Sequence, residues 1–459
     1  MGAPIQPAEH ESLRSVIEEE KREFAVPASR DSKLALAVRA LRHRNFQLFF
    51  AGQLISLIGT WMQTVAQSWL VYRLTNSALL LGAVGFASQI PVFIMAPVGG
   101  IVADRHNRRR VVISTQIASM ILAGILAALT LSGVVQVWQI MVLAASMGVV
   151  NAFDIPARQA FLIDMVGRED LMNAIALNSS MFNGARIIGP AVAGILVATI
   201  GEGWCFFANA VSYIAVIAGL LLMRIERAAK LTTEGSPLQN ILEGFAFVRN
   251  TGPIRAILLL LGLVSFVGMP YAVLMPVFAD KILHGGARGL GILMGATGIG
   301  ALLGAVSLAA RVGVRGLGRL IAICACGFGL SLVLFSSSRI FWLSAAFLLP
   351  VGFFMMVQMA SSNTLIQAMV PDQLRGRVMS VYSMMFMGMA PFGALSAGVV
   401  AHHLGAPLTV AIGGLACMAG GILFWTHLPR IRQATRDLVL AQGMMAGTPA
   451  QGMTSRGLL

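Results

Sequence analysis

Apolar and polar positions alternate along this chain on a long period. From Asn45 onward, runs of about 20 apolar residues are separated by polar connectors, mostly short, and about 20 helical residues cross the hydrocarbon core of a bilayer. Twelve such runs occupy 46–72, 79–102, 111–132, 138–160, 171–199, 204–223, 254–278, 288–310, 319–336, 340–367, 377–403 and 407–426. The pattern predicts an all-α integral membrane protein with twelve transmembrane helices. Only the two tails and the stretch 224–253 are long and polar, and that stretch divides the spans six and six. The expected plan is a tail over 1–44, a six-helix bundle over 45–223, a linker over 224–253, a second bundle over 254–427 and a tail over 428–459. Within the first tail, Leu34, Val38 and Leu41 recur at helical spacing among Lys33, Arg39, Arg42 and Arg44. That spacing predicts a short helix over 32–44 lying on an anionic membrane surface.

Composition removes the alternatives. Only 11% of the 459 residues are charged, against roughly 25% in soluble proteins, and 57% are hydrophobic. So few charges cannot clothe a water-soluble surface of this size, which excludes a cytosolic enzyme, a secreted disulfide scaffold and a disordered chain. The net charge of +14 is explained by where the positive residues fall. With the N-terminus in the cytoplasm, 27 of the 33 Lys and Arg lie on the cytoplasmic side. The opposite side has Arg73, Lys281, Arg288 and Arg339, and Arg158 and Arg186 lie at membrane depth. Both termini are therefore expected inside, in a multi-pass protein of a bacterial cytoplasmic (inner) membrane, with no nucleic-acid partner. Cys205, Cys324, Cys326 and Cys417 sit in apolar runs without ligand spacing, and His402-His403 has no acidic or Cys company. No metal site is expected. No Gly-Lys dipeptide exists to form a phosphate loop, and no paired carboxylates or nucleophile arrangement appears at membrane depth. The chain is expected to be neither an enzyme nor a cofactor protein.

The two halves repeat. Shifted by 204 residues, Gly148–Gly201 falls on Gly352–Gly405 with 11 identities over 54 positions, among them Ser179/Ser383, Gly189/Gly393 and Gly194/Gly398. A duplicated six-helix unit with both termini on one side predicts two pseudo-symmetric six-helix bundles, a transporter architecture.

Polar residues inside the spans are the candidates for function, because polar side chains do not face lipid cheaply. In the first span Gln53, Ser56, Thr60, Gln63, Thr64 and Gln67 fall within an arc of about 100°, a stripe that faces either a watery cavity or another helix. The fourth span carries Asn151, Asp154 and Arg158 on one face, the last two at ion-pair spacing. Asp154 is the acid clearly inside a span. It is a candidate to bind and release a proton as its surroundings alternate, or else it caps a helix restart at Pro156. Arg186 is a counter-ion for Asp154 or for an anionic substrate. In the second half Tyr271, Gln358, Asn363 and Tyr382 are available to a cavity, near a run of methionines (Met355, Met356, Met359, Met384, Met385, Met387) whose thioethers suit adaptable apolar contacts.

The connector between the second and third spans reads Gly100-Ile-Val-Ala-Asp104-Arg105-His-Asn107-Arg108-Arg109-Arg110. It resembles the signature loop of the major facilitator superfamily, with Asn107 in place of a glycine; Asn tolerates left-handed geometry, so the turn is expected to survive. Asp154-Ile-Pro156-Ala157-Arg158-Gln159-Ala160-Phe161, the stretch Asn178 to Ala191 and Leu274-Met-Pro276-Val-Phe-Ala279-Asp280 are similar to the subgroup containing the enterobactin exporter and macrolide-efflux relatives. Two departures stand out. The second-half loop Ala310–Gly316 lacks the acid, and Ala144 stands where the drug-exporter motif has Arg.

The resemblance implies the major facilitator fold, with spans one, four, seven and ten lining a central path. It also implies a gating loop (Gly100, Asp104, Arg105, Arg108, Arg109) in which Asp104 latches onto the N-terminal end of span eleven near Arg377 and Met379. It implies secondary active transport by alternating access: export of a siderophore or related amphipathic molecule by proton antiport. Multidrug or macrolide efflux is the near alternative, and a membrane sensor that moves nothing is the alternative of a different class. The expected partners are a small-molecule substrate, protons and the lipid bilayer, and the chain is expected to be a monomer.

Overall fold

The computed structural model describes residues 38–224, 237–311, 313–314 and 316–445. Most of the expected in-plane helix over 32–44 lies outside them; what is described there is a single 3-10 turn, Arg39–Arg42, leading into the first span. Twelve helices are long and apolar enough to cross a membrane. They are α1 (Arg44–Thr75), α2 (Ala78–Arg105), α3 (Arg108–Leu131), α4 (Val137–Val166), α5 (Leu171–Ile200), α6 (Glu202–Leu222), α7 (Gly252–Ile282), α8 (Gly286–Ala309), α9 (Leu317–Ser337), α10 (Phe341–Met369), α11 (Gln373–Leu404) and α12 (Ala406–Pro429). The helix of α12 continues to Met445. The stretch between the halves contains a helix of its own, Pro237–Asn250, which packs against the first half of α11. Large apolar side chains such as Ile121, Leu221, Trp138 and Trp342 point outward, as a lipid-facing surface requires. The structure is a twelve-helix, two-bundle integral membrane fold.

In the first bundle α1 packs on α5 and α6, α2 on α4, and α3 on α4 and α6. In the second, α8 packs on α10, α9 on α10 and α12, and α7 on α12. The bundles meet along α5 with α8 and α2 with α11. Both crossings are built on glycine pairs. A Cβ built on Gly194 would stand 3.0 Å from Gly291 Cα, and one on Gly398 would stand 2.9 Å from Gly82 Cα. Those contacts lie in the half of the molecule away from the basic connectors. It is the later half of α11, Met389–Leu404, that packs on α2, whereas its first half, Asp372–Met387, packs on the helix between the bundles. The bundles are thus clasped toward the far face and part toward the basic face.

α7 departs from regular geometry. It contains π turns at Val264–Gly268 and Phe278–Ile282 and a 3-10 turn at Met269–Ala272. Pro270 and Pro276 supply the cause, since each removes a backbone donor from the helical ladder. By contrast α4 runs unbroken through Pro156, so Asp154 caps no helix restart there. The connector after α2 also forms without left-handed geometry: Asn107 is extended (φ −69°), and its side chain accepts the Arg110 N–H at 3.2 Å to cap α3.

Candidate functional site

Between the bundles lies a cavity of ≈1540 Å³ that extends to the basic face, where Gly100, Asp104, Arg105 and Gly376 line it. The α1 stripe enters it whole: Gln53, Ser56, Thr60, Gln63, Thr64 and Gln67 all line the cavity. Asn151, Asp154 and Arg158 join them from α4. Ser88 and Gln89 of α2, Gln116 and Ser119 of α3, and Asn209 and Tyr213 of α6 complete a polar wall on the first bundle. The second bundle adds a mostly apolar wall: Val273 of α7, Met294 of α8, and Met379, Met384 and Met387 of α11, with Ser380 and Ser383 among them.

Asp154 is the centre of the polar wall and is only 5% exposed. Its Oδ1 accepts the Thr115 hydroxyl at 2.7 Å and the Gln116 amide at 2.9 Å, both from α3, and Arg158 Nε lies 3.2 Å from Oδ2. A carboxylate at membrane depth persists only when its charge and its lone pairs are met, and these three groups meet them. A second set of contacts ties α1 to α6: Asn209 donates to Gln63 at 2.7 Å, Ser212 donates to Asn209 at 3.2 Å, and Thr60 and Tyr213 hydroxyls stand 3.5 Å apart. Thr115, Gln116, Ser119, Asn209 and Tyr213 were not among the residues expected from the sequence. The signal existed, since Thr115, Gln116 and Ser119 share a face of α3 at i, i+3 and i, i+4 spacing.

Arg186 stands apart from Asp154. Its guanidinium carbon is 5.7 Å from the centroid of the Trp61 ring, and Trp61 also meets Phe182 edge-on at 5.6 Å. The remaining second-half candidates lie outside the cavity lining. Tyr271 is buried against Phe328 at 6.3 Å, Tyr382 donates to the Met359 carbonyl at 3.1 Å, Asn363 accepts from Gln367 at 2.5 Å, and Gln358 is buried. Of the six methionines only Met384 and Met387 reach the cavity.

The basic loop divides its work. Asp104 is exposed at the cavity mouth and forms no ion pair among the described residues. Arg377, near which it was expected to latch, pairs instead with Glu243 of the inter-bundle helix. Arg108 pairs with Asp164 of α4 at 3.0 Å, and Arg109 donates to the Leu220 and Leu221 carbonyls at 2.8 and 3.0 Å, capping α6. These arginines hold α3 to α4 and α6; they are more than markers of orientation.

A profile of the transmembrane secretion effector family matches residues 35–447. The chain is 27% identical over 382 residues to the staphyloferrin A transporter of Staphylococcus aureus, covering 82% of this chain and 94% of that protein. It is 28% identical over 385 residues to the multidrug efflux pump Tap of Mycolicibacterium fortuitum, covering 82% and 93%. To the enterobactin exporter EntS of Escherichia coli O157:H7 it is 24% identical over 405 residues, covering 87% and 96%. Among solved structures, the nucleoside transporter NupG superposes with a TM-score of 0.67 at 13% identity, over 84% of this chain and 98% of that one. This last likeness is one of fold. With two clasped six-helix bundles, one polar-walled cavity between them and a family match over most of its length, the chain belongs to the transmembrane secretion effector family of major facilitator transporters.

Proposed function

We propose that this transporter exports a small amphipathic molecule of the siderophore class by proton antiport. It would sit in a bacterial cytoplasmic membrane with both chain ends in the cytoplasm. The observation that carries the coupling is the buried Asp154, held by Thr115, Gln116 and Arg158 and lining the one large cavity described. Ionised, its carboxylate accepts from Thr115 and Gln116 and forms an ion pair with Arg158. Protonated, it offers an O–H instead of a charge and leaves Arg158 without a counter-charge. The two protonation states therefore bind the cavity contents with different affinity, and that difference is what allows inward proton movement to drive outward solute movement. Orientation is supported by 27 of 33 Lys and Arg falling on one side. The direction and solute class are supported by the kinship with staphyloferrin A and enterobactin transporters. The fold supports alternating access: the bundles are clasped on the far face and parted on the basic one, which leaves the cavity open inward.

A second reading, multidrug efflux, is favoured by the wall of Met294, Met379, Met384 and Met387, whose flexible thioethers accept varied apolar shapes. One experiment separates the two. In energised inside-out vesicles with a fluorescent report of the pH gradient, a siderophore is added and then a lipophilic cationic dye. Gradient loss on siderophore addition, abolished in Asp154→Asn, is the expected result. A response to the dye alone moves the reading to multidrug efflux. Unchanged coupling in Asp154→Asn overturns the role given to that carboxylate.

A further inference from the structure

Arg158 and Arg186 are the two arginines at membrane depth, and their surroundings differ. Arg158 has Asp154. Among the described residues no carboxylate comes within ion-pair distance of Arg186, and its guanidinium lies against the Trp61 ring. Tyr271 of α7 is close enough to interact with it electrostatically. The backbone pins this arrangement. A Cβ on Gly298 of α8 would stand 3.2 Å from the Arg186 carbonyl oxygen, and Gly189, almost one turn on, is seated against Trp61. Spans from both bundles thus meet at Arg186: α1 reaches its guanidinium through Trp61 and α7 interacts with it through Tyr271, while α8 packs on its backbone through Gly298.

Arg186 lies outside the lining of the cavity but borders it. Trp61 lines it, as do Ala272 and Val273 beside Tyr271 and Met294 one turn before Gly298. Here too α7 abandons regular geometry, with the 3-10 turn Met269–Ala272 carrying Tyr271. A charged side chain at membrane depth without a counter-charge is costly and marks a functional position. An aromatic face stabilises the cation through the plane of the guanidinium and leaves its N–H edge free, the edge that fits a carboxylate. Asp154 does not compete for this role, because its own charge is met on α3 and α4.

We infer that Arg186, backed by Trp61, is the subsite for a carboxylate of the transported molecule, and that it selects anionic over cationic solutes. The inference rests on the transport reading above and deepens it. Because α5 packs on α8 of the other bundle at this very residue, a carboxylate bound there couples solute occupancy to the packing of one bundle on the other.

The test is binding, not flux. The full-length chain in lipid nanodiscs is titrated with a fluorescent dicitrate amide and, separately, with ethidium, followed by anisotropy, for wild type, Arg186→Gln and Arg186→Lys. The expected result is dicitrate affinity weakened about tenfold or more in Arg186→Gln and intermediate in Arg186→Lys, with ethidium unaffected by either change. Three outcomes overturn the inference: no dicitrate binding by wild type, equal affinity in Arg186→Gln, or parallel loss of both probes in Arg186→Gln and Arg186→Lys, which assigns the residue to packing. Failure here leaves proton-driven export standing. A chain that binds dicitrate through Arg186 yet moves no solute under a pH gradient fails the transport reading and keeps the subsite.

Discussion

The two bundles share a scaffold and divide the chemistry. Three pairs of residues from the repeat show the scaffold. Gly148 and Gly352 seat α4 on α2 and α10 on α8; Gly189 and Gly393 seat α5 on α1 and α11 on α7; Gly194 and Gly398 make the two crossings between bundles. At each, a side chain would strike a neighbouring helix, so the identities retained between halves here are helix crossings. The same register exposes the difference. Asp154 and Arg158 of α4 correspond to Gln358 and Ser362 of α10. The first pair is charged, mutually paired and reached by two donors from α3. Of the second, Gln358 Nε2 and Ser362 Oγ are buried without a partner, as is Ser361 Oγ beside them. Symmetric packing gives the bundles two matched contacts. The asymmetry confines charge to one wall of the cavity and concentrates thioethers on the other.

The largest way to break that comparison is to place a charge in the neutral half. Gln358→Asp puts a carboxylate where no cation waits, and is expected to lower stability by about 2.5–3.5 kcal/mol. Adding Ser362→Arg recreates the i, i+4 pair of α4 and should recover part of the loss. Thermal unfolding of the single and double variants in one detergent measures both, and an undiminished single variant would mean that the α10 position is hydrated and the halves less different than drawn.

Next in size is the clasp. Gly398→Leu and Gly194→Leu each drive a side chain into an opposing helix backbone, at about 1–3 kcal/mol or more apiece. Matched losses in melting temperature are expected because the crossings are equivalent. A loss confined to one would show that a single crossing carries the bundle contact. The smallest effect belongs to the apolar wall. Met384→Leu and Met387→Leu keep volume and apolarity, so each should cost less than about 1.5 kcal/mol and shift solute affinity only a few-fold, read by the same binding titration. A large change there would give the thioethers a specific role.

Several features of the site were legible in the residues because they are properties of one helix. The α1 stripe follows from spacing alone, and all six of its residues line the cavity. Asp154 and Arg158 four apart announce a pair on one face. The donors from α3 and α6 were harder to see, being isolated polar residues within strongly apolar spans. The second-half candidates Tyr271, Gln358, Asn363 and Tyr382 show the opposite failing. A polar side chain at the right depth reaches a cavity only if its helix is rotated toward it; Tyr271 and Gln358 are turned into the bundle, Tyr382 onto the Met359 carbonyl and Asn363 onto the Gln367 side chain. Asp104 and Arg377 likewise carry complementary charges in sequence, yet with the bundles parted at the basic face Arg377 takes Glu243 instead.

The sequence by itself determined what a bilayer demands of any chain: twelve apolar lengths, a six-and-six division, a bias of positive charge to one side, and the polar faces of the first and fourth spans. Those follow from the cost of exposing polar groups to hydrocarbon, a cost that acts residue by residue. Tertiary structure decided who meets whom: that Thr115 and Gln116 hold Asp154, that Arg186 faces Trp61 and not an acid, and that only α11 and parts of α7 and α8 bring the second bundle to the cavity. The physical reason is that partners are set by the rotation and tilt of neighbouring helices. Close glycine crossings fix those angles, and no single helix's periodicity contains them.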